Sequence, residues 1–433
     1  MRQILPLFVA LGTTLAAPGL SPENATDLVR AMNALDTIDF AGIRMVAFEA
    51  DKLDTLALVL KEADPTVRDS WLARLPEANR ERYEHRLQKL GPAGPDAVAA
   101  AVAAIGVMLR GPGLMLQRAQ ALAMQGRPRE AAEAAERAFR LGPANRIDYY
   151  QVACQWALAG EANAAFRNLD LAAGAGWTDS KNLNEDADLK SLHADKRWAA
   201  LAARIGRTRD SLMATLPDSH AAATLVELPE PARESKVSVE KCLAERRSIR
   251  KHTAEPVTLA EVSQLLWAAY GVTQPLPNVP GVRGGLKTAP SAGGLYPLEL
   301  YVVAGNVTGL ATGVYWYRPE SHDLVLVEPG DKRKALFDAS AGQSCVRDAP
   351  ASLIYSAVFS RNTDKYGTRG RERYVCMDLG HSAENVYLQC GSLGLGTCAI
   401  GAFFDDDVKL TVRMTRPEEP LYIMPVGRLP GTK

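Results

Sequence analysis

The sequence predicts two architectures in one chain, an all-α amino-terminal half and an α+β carboxy-terminal domain. From Ser21 to about residue 205, Ala, Leu, Glu and Arg dominate, and apolar residues recur at three-to-four spacing, the signature of helices with one buried face. Beyond residue 236, short runs rich in β-branched and aromatic residues alternate with amphipathic helical stretches. Between the two, residues 206–236 lose any period, and Leu228-Pro229-Glu230-Pro231 reads as a linker. At 433 residues the chain has room for two or three separate cores.

Taken in order, residues 1–17 read as a secretory signal peptide. Arg2 precedes the mostly apolar run 4–15, and Ala16-Ala17-Pro18 follows it. The run is too short to span a bilayer comfortably, and no other segment reaches eighteen apolar residues. This predicts an exported, periplasmic protein, or a cytoplasmic one if the run is a buried helix instead. Residues 18–110 form a helical region, with helical spacing at 53–60 and 71–90 and a core helix in the Ala/Val/Ile run 97–109.

Residues 111–205 hold a repeat. Residues 122–131 align with 156–165, with identities at Ala123/Ala157, Gly126/Gly160 and Ala131/Ala165. Both the glycines (160 − 126 = 34) and the last alanines (165 − 131 = 34) give a period of 34. That period resembles tetratricopeptide helix pairs, in which glycine makes the tight turn and alanine lets helices approach. Such arrays normally stack about three units, so the preceding helices and the tail 177–205 are expected to cap this one. The resemblance implies a protein partner or a peptide segment, with a purely packing role as the alternative.

Residues 237–433 read as α+β. Helices are expected at Leu259–Tyr270, 331–340 and 377–392, and strands at Leu298–Ala304, 313–317, 324–328, 351–357 and 421–425. The stretch 271–285 is expected to be one long functional loop.

Composition excludes several classes. Fifty basic and fifty acidic residues leave no net charge, so no global field recruits nucleic acid or an anionic membrane, and any anion recognition must be local. Six cysteines include no Cys-x-x-Cys and lie mostly in apolar runs, which suits small buried thiols. Six histidines show no metal-ligand spacing, so no metal is expected. His381 is expected to be a polar core residue.

Local anion recognition points to Glu245-Arg246-Arg247-Ser248-Ile249-Arg250, where three guanidiniums and a hydroxyl suit phosphate oxygens. Further on, Pro290-Ser291-Ala292-Gly293-Gly294-Leu295-Tyr296-Pro297 is a turn of small residues that lets backbone approach a flat ligand. Three later stretches follow: Lys365-Tyr366-Gly367, Asp378-Leu379-Gly380-His381 leading to Gly394-Leu395-Gly396-Thr397-Cys398-Ala399-Ile400-Gly401, and Met424-Pro425-Val426-Gly427-Arg428. In this order the five resemble the nitroreductase superfamily of flavin enzymes, and more closely its thiazole/oxazole dehydrogenase (SagB-like) branch.

That resemblance implies a nitroreductase-like fold, a homodimer, and FMN held by hydrogen bonds at the dimer interface. Carried over, Arg246, Arg247, Ser248 and Arg250 would meet the flavin phosphate and ribityl chain, and Arg428 would add a second charge there. Pro290, Ser291, Ala292, Gly293 and Gly294 would face the isoalloxazine from the other subunit, with Gly401 and Ala402 beside its reactive nitrogen. Two departures stand out: Gly294 and Tyr296 occupy places where nitroreductases commonly have Asn and Gln, and Gly401-Ala402 stands where they often have Glu-Gly. These favour the azoline-dehydrogenase branch, whose Lys-Tyr pair matches Lys365-Tyr366 and would take the carbon-bound proton. The expected substrate is a small molecule or peptide carrying an azoline-like ring. The alternatives are a nitro or quinone reductase driven by NAD(P)H, and an interaction module with an inert flavin domain.

Overall fold

The computed structural model describes residues 22–36, 53–91, 94–110, 112–221, 224–276, 279 and 282–430. The expected signal peptide lies outside them. The chain divides into two compact units, Met1–Ile205 and Gly206–Lys433.

The first unit is helical throughout its described residues. Its helices are α1 (Pro22–Asn33), α2 (Leu53–Glu62), α3 (Pro65–Ala73), α4 (Glu77–Lys89), α5 (Pro95–Arg110), α6 (Pro112–Met124), α7 (Pro128–Phe139), α8 (Arg146–Leu158), α9 (Ala162–Gly174) and α10 (Ser180–Glu185). A final helix, α11 (Lys196–Met213), runs across the unit boundary. Where one helical stretch was expected over 71–90, the chain breaks into α3 and α4. Pro76 causes the break: it lacks an N–H and disfavours helical backbone in Leu75 before it. The helices α1 to α5 close one core around Leu28, Met32, Leu56, Leu60 and Trp71, with Tyr83 edge-on to Trp71 at 5.6 Å.

The 34-residue repeat is visible as two helical hairpins, α6–α7 and α8–α9, whose starts are offset by 146 − 112 = 34 and 162 − 128 = 34. Gly126 (φ 69°) and Gly160 (φ 77°) turn each hairpin in a left-handed conformation that only glycine adopts freely. Ala131 and Ala165, at equivalent places, are both buried where helices touch. An asparagine cap starts α8: Asn145 accepts from Ile147 and Asp148, and Asp148 accepts from Asn145 in return.

The second unit is built on a seven-stranded antiparallel sheet in the order β1-β8-β7-β5-β9-β11-β10. Its strands are β1 (Leu225–Glu227), β5 (Leu298–Ala304), β7 (Gly313–Arg318), β8 (Asp323–Pro329), β9 (Ala351–Val358), β10 (Leu395–Thr397) and β11 (Glu418–Arg428), with β2 (Val257–Thr258) and β6 (Val307–Thr308) forming a small separate pair. Helices α12 (Val239–Glu245), α13 (Leu259–Tyr270), α14 (Arg333–Ala339), α15 (Ser344–Asp348), α16 (Ser360–Tyr366), α17 (Val375–Leu393) and α18 (Asp405–Val412) complete it. Central β5 is buried along its whole length. One face, through Leu298, Leu300 and Val302, shares a core with Leu266 of α13 and Val386 of α17. The other, through Tyr301 and Val303, meets Leu336, Val408 and Val412.

Two expectations change here. The stretch 271–285 carries β3 (Val272–Pro275), which pairs with β4 (Gly285–Lys287), so a hairpin replaces the long loop. Residues 206–236 contain the end of α11 and strand β1, whose register Leu225↔Val325 extends the sheet at its edge. Backbone pairing needs no hydrophobic period, and this is why a sequence pattern misses a three-residue edge strand.

Candidate active site

Two clusters lie along α17. The first gathers on the arginine segment. Ser238 caps α12 by accepting from the Lys241 N–H, and the chain leaves that helix in extended form after Glu245. The Ile249 N–H then donates to the Thr397 carbonyl at 2.8 Å and ties the segment to the end of β10. Gly396 permits this: a Cβ there would sit 2.8 Å from the Ile249 side chain.

Arg246 lies over the Tyr387 ring at 5.2 Å, and the Tyr387 hydroxyl meets Ser248 Oγ at 3.2 Å while accepting from the Ala399 N–H at 2.7 Å. Arg247 donates to the Ala244 and Arg246 carbonyls at the end of α12. None of Arg246, Arg247 and Arg250 pairs with a carboxylate among the described residues.

Arg428 differs. Its two terminal nitrogens grip Glu261 at 2.8 and 3.0 Å, and Glu261 also closes the capping box of α13 with Thr258. Burial pushes the Glu261 carboxyl up, but the bonds from Arg428 and Thr258 outweigh it and hold it below its usual range. Arg428, expected to add a second charge near the phosphate, is paired in this structure with a carboxylate of its own chain.

The second cluster joins the glycine turn to the Lys-Tyr pair. Asp378, buried in the first turn of α17, accepts from Ser291 Oγ at 2.5 Å and from the Ala292 N–H at 3.1 Å. Ser291 Oγ in turn accepts from the Tyr296 N–H at 2.9 Å. Burial raises the Asp378 carboxyl above its usual range against the pull of these two donors. Held in this way, Gly293 (φ 67°) presents bare backbone to α16. A Cβ at Gly293 would lie 2.4 Å from the Tyr366 hydroxyl and 3.1 Å from Lys365 Nζ. Fold geometry thus brings Gly293 to the Lys365-Tyr366 pair, more than seventy positions further along the chain.

The pair is well supported. Arg361 of α16 pairs with Glu299 of β5 at 2.6 Å and donates to the Pro297 carbonyl. Gly370 opens the π-helical turn Gly370–Tyr374, and a Cβ there would sit 2.8 Å from the Asn362 backbone, so only glycine lets the turn pass so close. Tyr374 at its end contacts the Tyr366 ring edge-on at 4.8 Å. Asn362, one turn before Lys365, is fully buried, and neither atom of its amide finds a partner among the described residues.

Gly401 and Ala402 are exposed beyond the bridge Ile400↔Ile423, and the Ala402 carbonyl accepts from Gln343 at 3.1 Å. The expected burial of His381 is not found: it sits on the exposed face of α17. Tyr387, Glu299 and Arg361 belong to none of the motifs legible in the sequence, and Asp378 belongs to one only as the head of the Asp378–His381 stretch. A lone glutamate inside the apolar run Leu298–Ala304 was the one available signal, since a buried charge requires a partner.

The residues fit the phosphate and flat ring expected of a flavin. Arginines without carboxylate partners among the described residues stand at one cluster, and a glycine backbone without a side chain faces the pair at the other. Along α17, Asp378 and Tyr387 are nine residues apart (387 − 378), which separates the clusters by about 14 Å of helix rise.

Comparison with known proteins gives this unit a family. Residues 243–428 match the model of the nitroreductase family. A protein of Methanocaldococcus jannaschii named as a nitroreductase, MJ1384, is 44% identical over 192 residues, covering 44% of this chain and 91% of that protein. The trifolitoxin-processing protein TfxB of Rhizobium leguminosarum bv. trifolii is 34% identical over 113 residues, 25% of this chain and 30% of its own length. A crystal structure described as a nitroreductase from Ralstonia eutropha is 30% identical, covers 50% of this chain and 95% of its own, and gives a TM-score of 0.42.

Proposed function

The chain belongs to the nitroreductase family of oxidoreductases, and within that family we propose that it is an FMN-dependent, SagB-type dehydrogenase acting on an azoline-like or peptide-linked ring. The observation that carries this reading is the convergence of Lys365 Nζ and the Tyr366 hydroxyl on the bare backbone of Gly293. The similarity to TfxB supports it, because that relative is named for processing trifolitoxin.

FMN supplies a two-electron acceptor when bound. Arg246, Arg247, Ser248 and Arg250 would neutralise and orient its phosphate, and the Pro290–Gly294 turn, fixed through Asp378, would face its ring. The Lys365-Tyr366 pair would supply the base for the one carbon-bound proton that aromatising the ring releases, a transfer that needs a base within hydrogen-bond reach. As parts of the same proposal, two copies of the chain form the site, the 34-residue hairpins are tetratricopeptide-like and hold a peptide or protein partner, and the protein is exported.

A nicotinamide-driven reductase is the competing reading, favoured by the identity with MJ1384. Anaerobic visible spectroscopy separates the two. The expected result is a yellow protein that stays oxidised with NADPH and bleaches with a thiazoline-containing peptide. In Lys365→Ala that bleaching slows by about a hundredfold or more. Rapid bleaching by NADPH without response to the thiazoline would transfer the assignment to the reductase.

A further inference from the structure

A groove of about 490 Å³ opens in the first unit between α6 and α8, where α7 contributes the buried Ala131 and Ala135. Its charge is one-sided. Asp148, Asp186 and Asp188 line it, and no Lys, Arg or His does among the described residues. Other acids of the same helices are taken: Arg129 reaches Glu161, Arg197 holds Asp195 at 2.7 Å, and Arg204 reaches Asp170. None of the three groove carboxylates has a cation partner among the described residues. Leu116, 36% exposed, and the exposed Gln120 and Gln151 give the groove an open mouth.

The fold fixes two of these carboxylates side by side. Asp186 Oδ2 accepts from the Tyr150 hydroxyl at 2.8 Å and from the Cys154 thiol at 3.7 Å, and Asp186 Oδ1 accepts from the Asp188 N–H at 2.9 Å. An oxygen of Asp188 lies within 4.8 Å of both an Asp186 oxygen and the Cys154 sulfur. The Asp188 carboxylate itself accepts no hydrogen bond among the described residues. Burial, then the Asp186 charge, holds it above its ordinary value, and a cation placed there would relieve the repulsion. On α6, Gln117 Oε1 is a further unmatched acceptor: it is buried and meets no donor among the described residues. A single metal ion is the poorer occupant. Both Asp186 oxygens already accept, burial and the two aspartate charges keep Cys154 a protonated thiol, and the space far exceeds the roughly 30 Å³ of one water. A guanidinium offers five N–H donors in one plane, and its apolar stem suits Leu116 and Phe139. The amides of Gln117, Gln120, Gln151 and Gln155 suit the backbone on either side of it.

We propose that this groove docks a peptide segment through an arginine side chain, whose guanidinium lies against Asp186 and Asp188 while Gln117 accepts from the peptide backbone. This deepens, and rests on, the reading of the hairpins as a partner-binding unit. The flavin site takes no part in it.

The test uses the full chain and pools of fluorescein-labelled heptapeptides. The central residue is fixed as Arg, citrulline or Glu, the other positions are randomised among uncharged residues, and binding is followed by fluorescence polarisation. The arginine pool should bind at least about tenfold tighter than the citrulline pool, which keeps the shape and removes the charge. That excess should shrink in about 1 M salt. Asp188→Asn should remove most of it with the thermal midpoint unchanged, because this carboxylate accepts no hydrogen bond within the fold. Glu185→Gln, at an exposed acid on the preceding helix, should leave the excess intact. Equal binding of the arginine and citrulline pools, or a preference for Glu, would overturn the arginine assignment and leave the hairpins a peptide-binding unit. No binding by any pool would overturn both. One zinc ion per chain, retained on dialysis and lost in Cys154→Ala, without any arginine preference, would give the cluster to a metal and overturn the proposal as well.

Discussion

Arginine serves two purposes in the carboxy-terminal unit, and the partners of each side chain tell them apart. Arg283 and Arg361 both reach Glu299 on β5, at 3.0 and 2.6 Å, and Arg428 grips Glu261 with both terminal nitrogens. These guanidiniums are part of how the fold holds its own charge. Arg246, Arg247 and Arg250 have no carboxylate among the described residues and follow one another on a segment tied down by its backbone. Three guanidiniums close together without a carboxylate among the described residues make a local positive field on a chain of zero net charge.

The sharpest way to break this comparison is to remove Glu299. It is almost fully buried and also accepts from Trp316 at 3.1 Å. Glu299→Ala would leave two guanidiniums without their carboxylate, at an expected cost of about 3–5 kcal/mol in urea unfolding. A loss no larger than that of an exposed glutamate would show that the paired arginines are not structural.

A smaller effect separates Arg250 from Arg428. Arg250→Ala should leave stability within about 0.5 kcal/mol of wild type while weakening FMN binding, followed by flavin fluorescence, by about ten- to a hundredfold. Arg428→Ala should show the reverse order, with about 1–3 kcal/mol of stability lost through the unpaired Glu261 and the lesser change in FMN affinity. Equal FMN losses from both would erase the distinction.

The smallest expected effect concerns pH. Glu299 and Glu418 are both buried, yet their carboxyls shift in opposite directions. Burial pushes Glu299 up, but Arg283 and Arg361 outweigh it, so the carboxyl stays below the ordinary 4.5. Its stabilisation is full above that value and is lost as pH falls through the depressed folded value.

Glu418 is raised by burial first and by the Glu299 charge second, and its partners are the hydroxyls of Tyr301, Ser356 and Thr415 rather than cations. The native state keeps that proton where the unfolded chain has released it. Its contribution is therefore full below 4.5 and declines as pH rises through the folded value. Unfolding measured across that range should show the decline in wild type and not in Glu418→Gln. An unchanged profile in the variant would remove Glu418 as its source.

Much of the fold was legible beforehand because periodicity is local. The spans expected for Leu259–Tyr270 and Leu298–Ala304 coincide with the observed helix and strand, the first started by the Thr258 capping box and the second a short β-rich run buried along its whole length. The repeat offset of 34 reappears as hairpin offset because Gly126 and Gly160 each set one turn by themselves. Edge strand β1 and the β3–β4 hairpin escaped notice, as both rest on backbone pairing between short segments with little apolar pattern.

The sequence by itself determined the helical half, the order of elements in the α+β half, and the presence of arginine, glycine-turn and Lys-Tyr motifs. These follow from side-chain period, turn chemistry and residue type, all of which operate over a few neighbours. Only the tertiary structure decided that Arg428 is taken by Glu261, that Gly293 meets Tyr366, and that Ser291 is held by Asp378. Each joins residues more than fifty positions apart. Which distant side chains share a space is settled by how the sheet stacks and how its crossings run, and no local pattern carries that information.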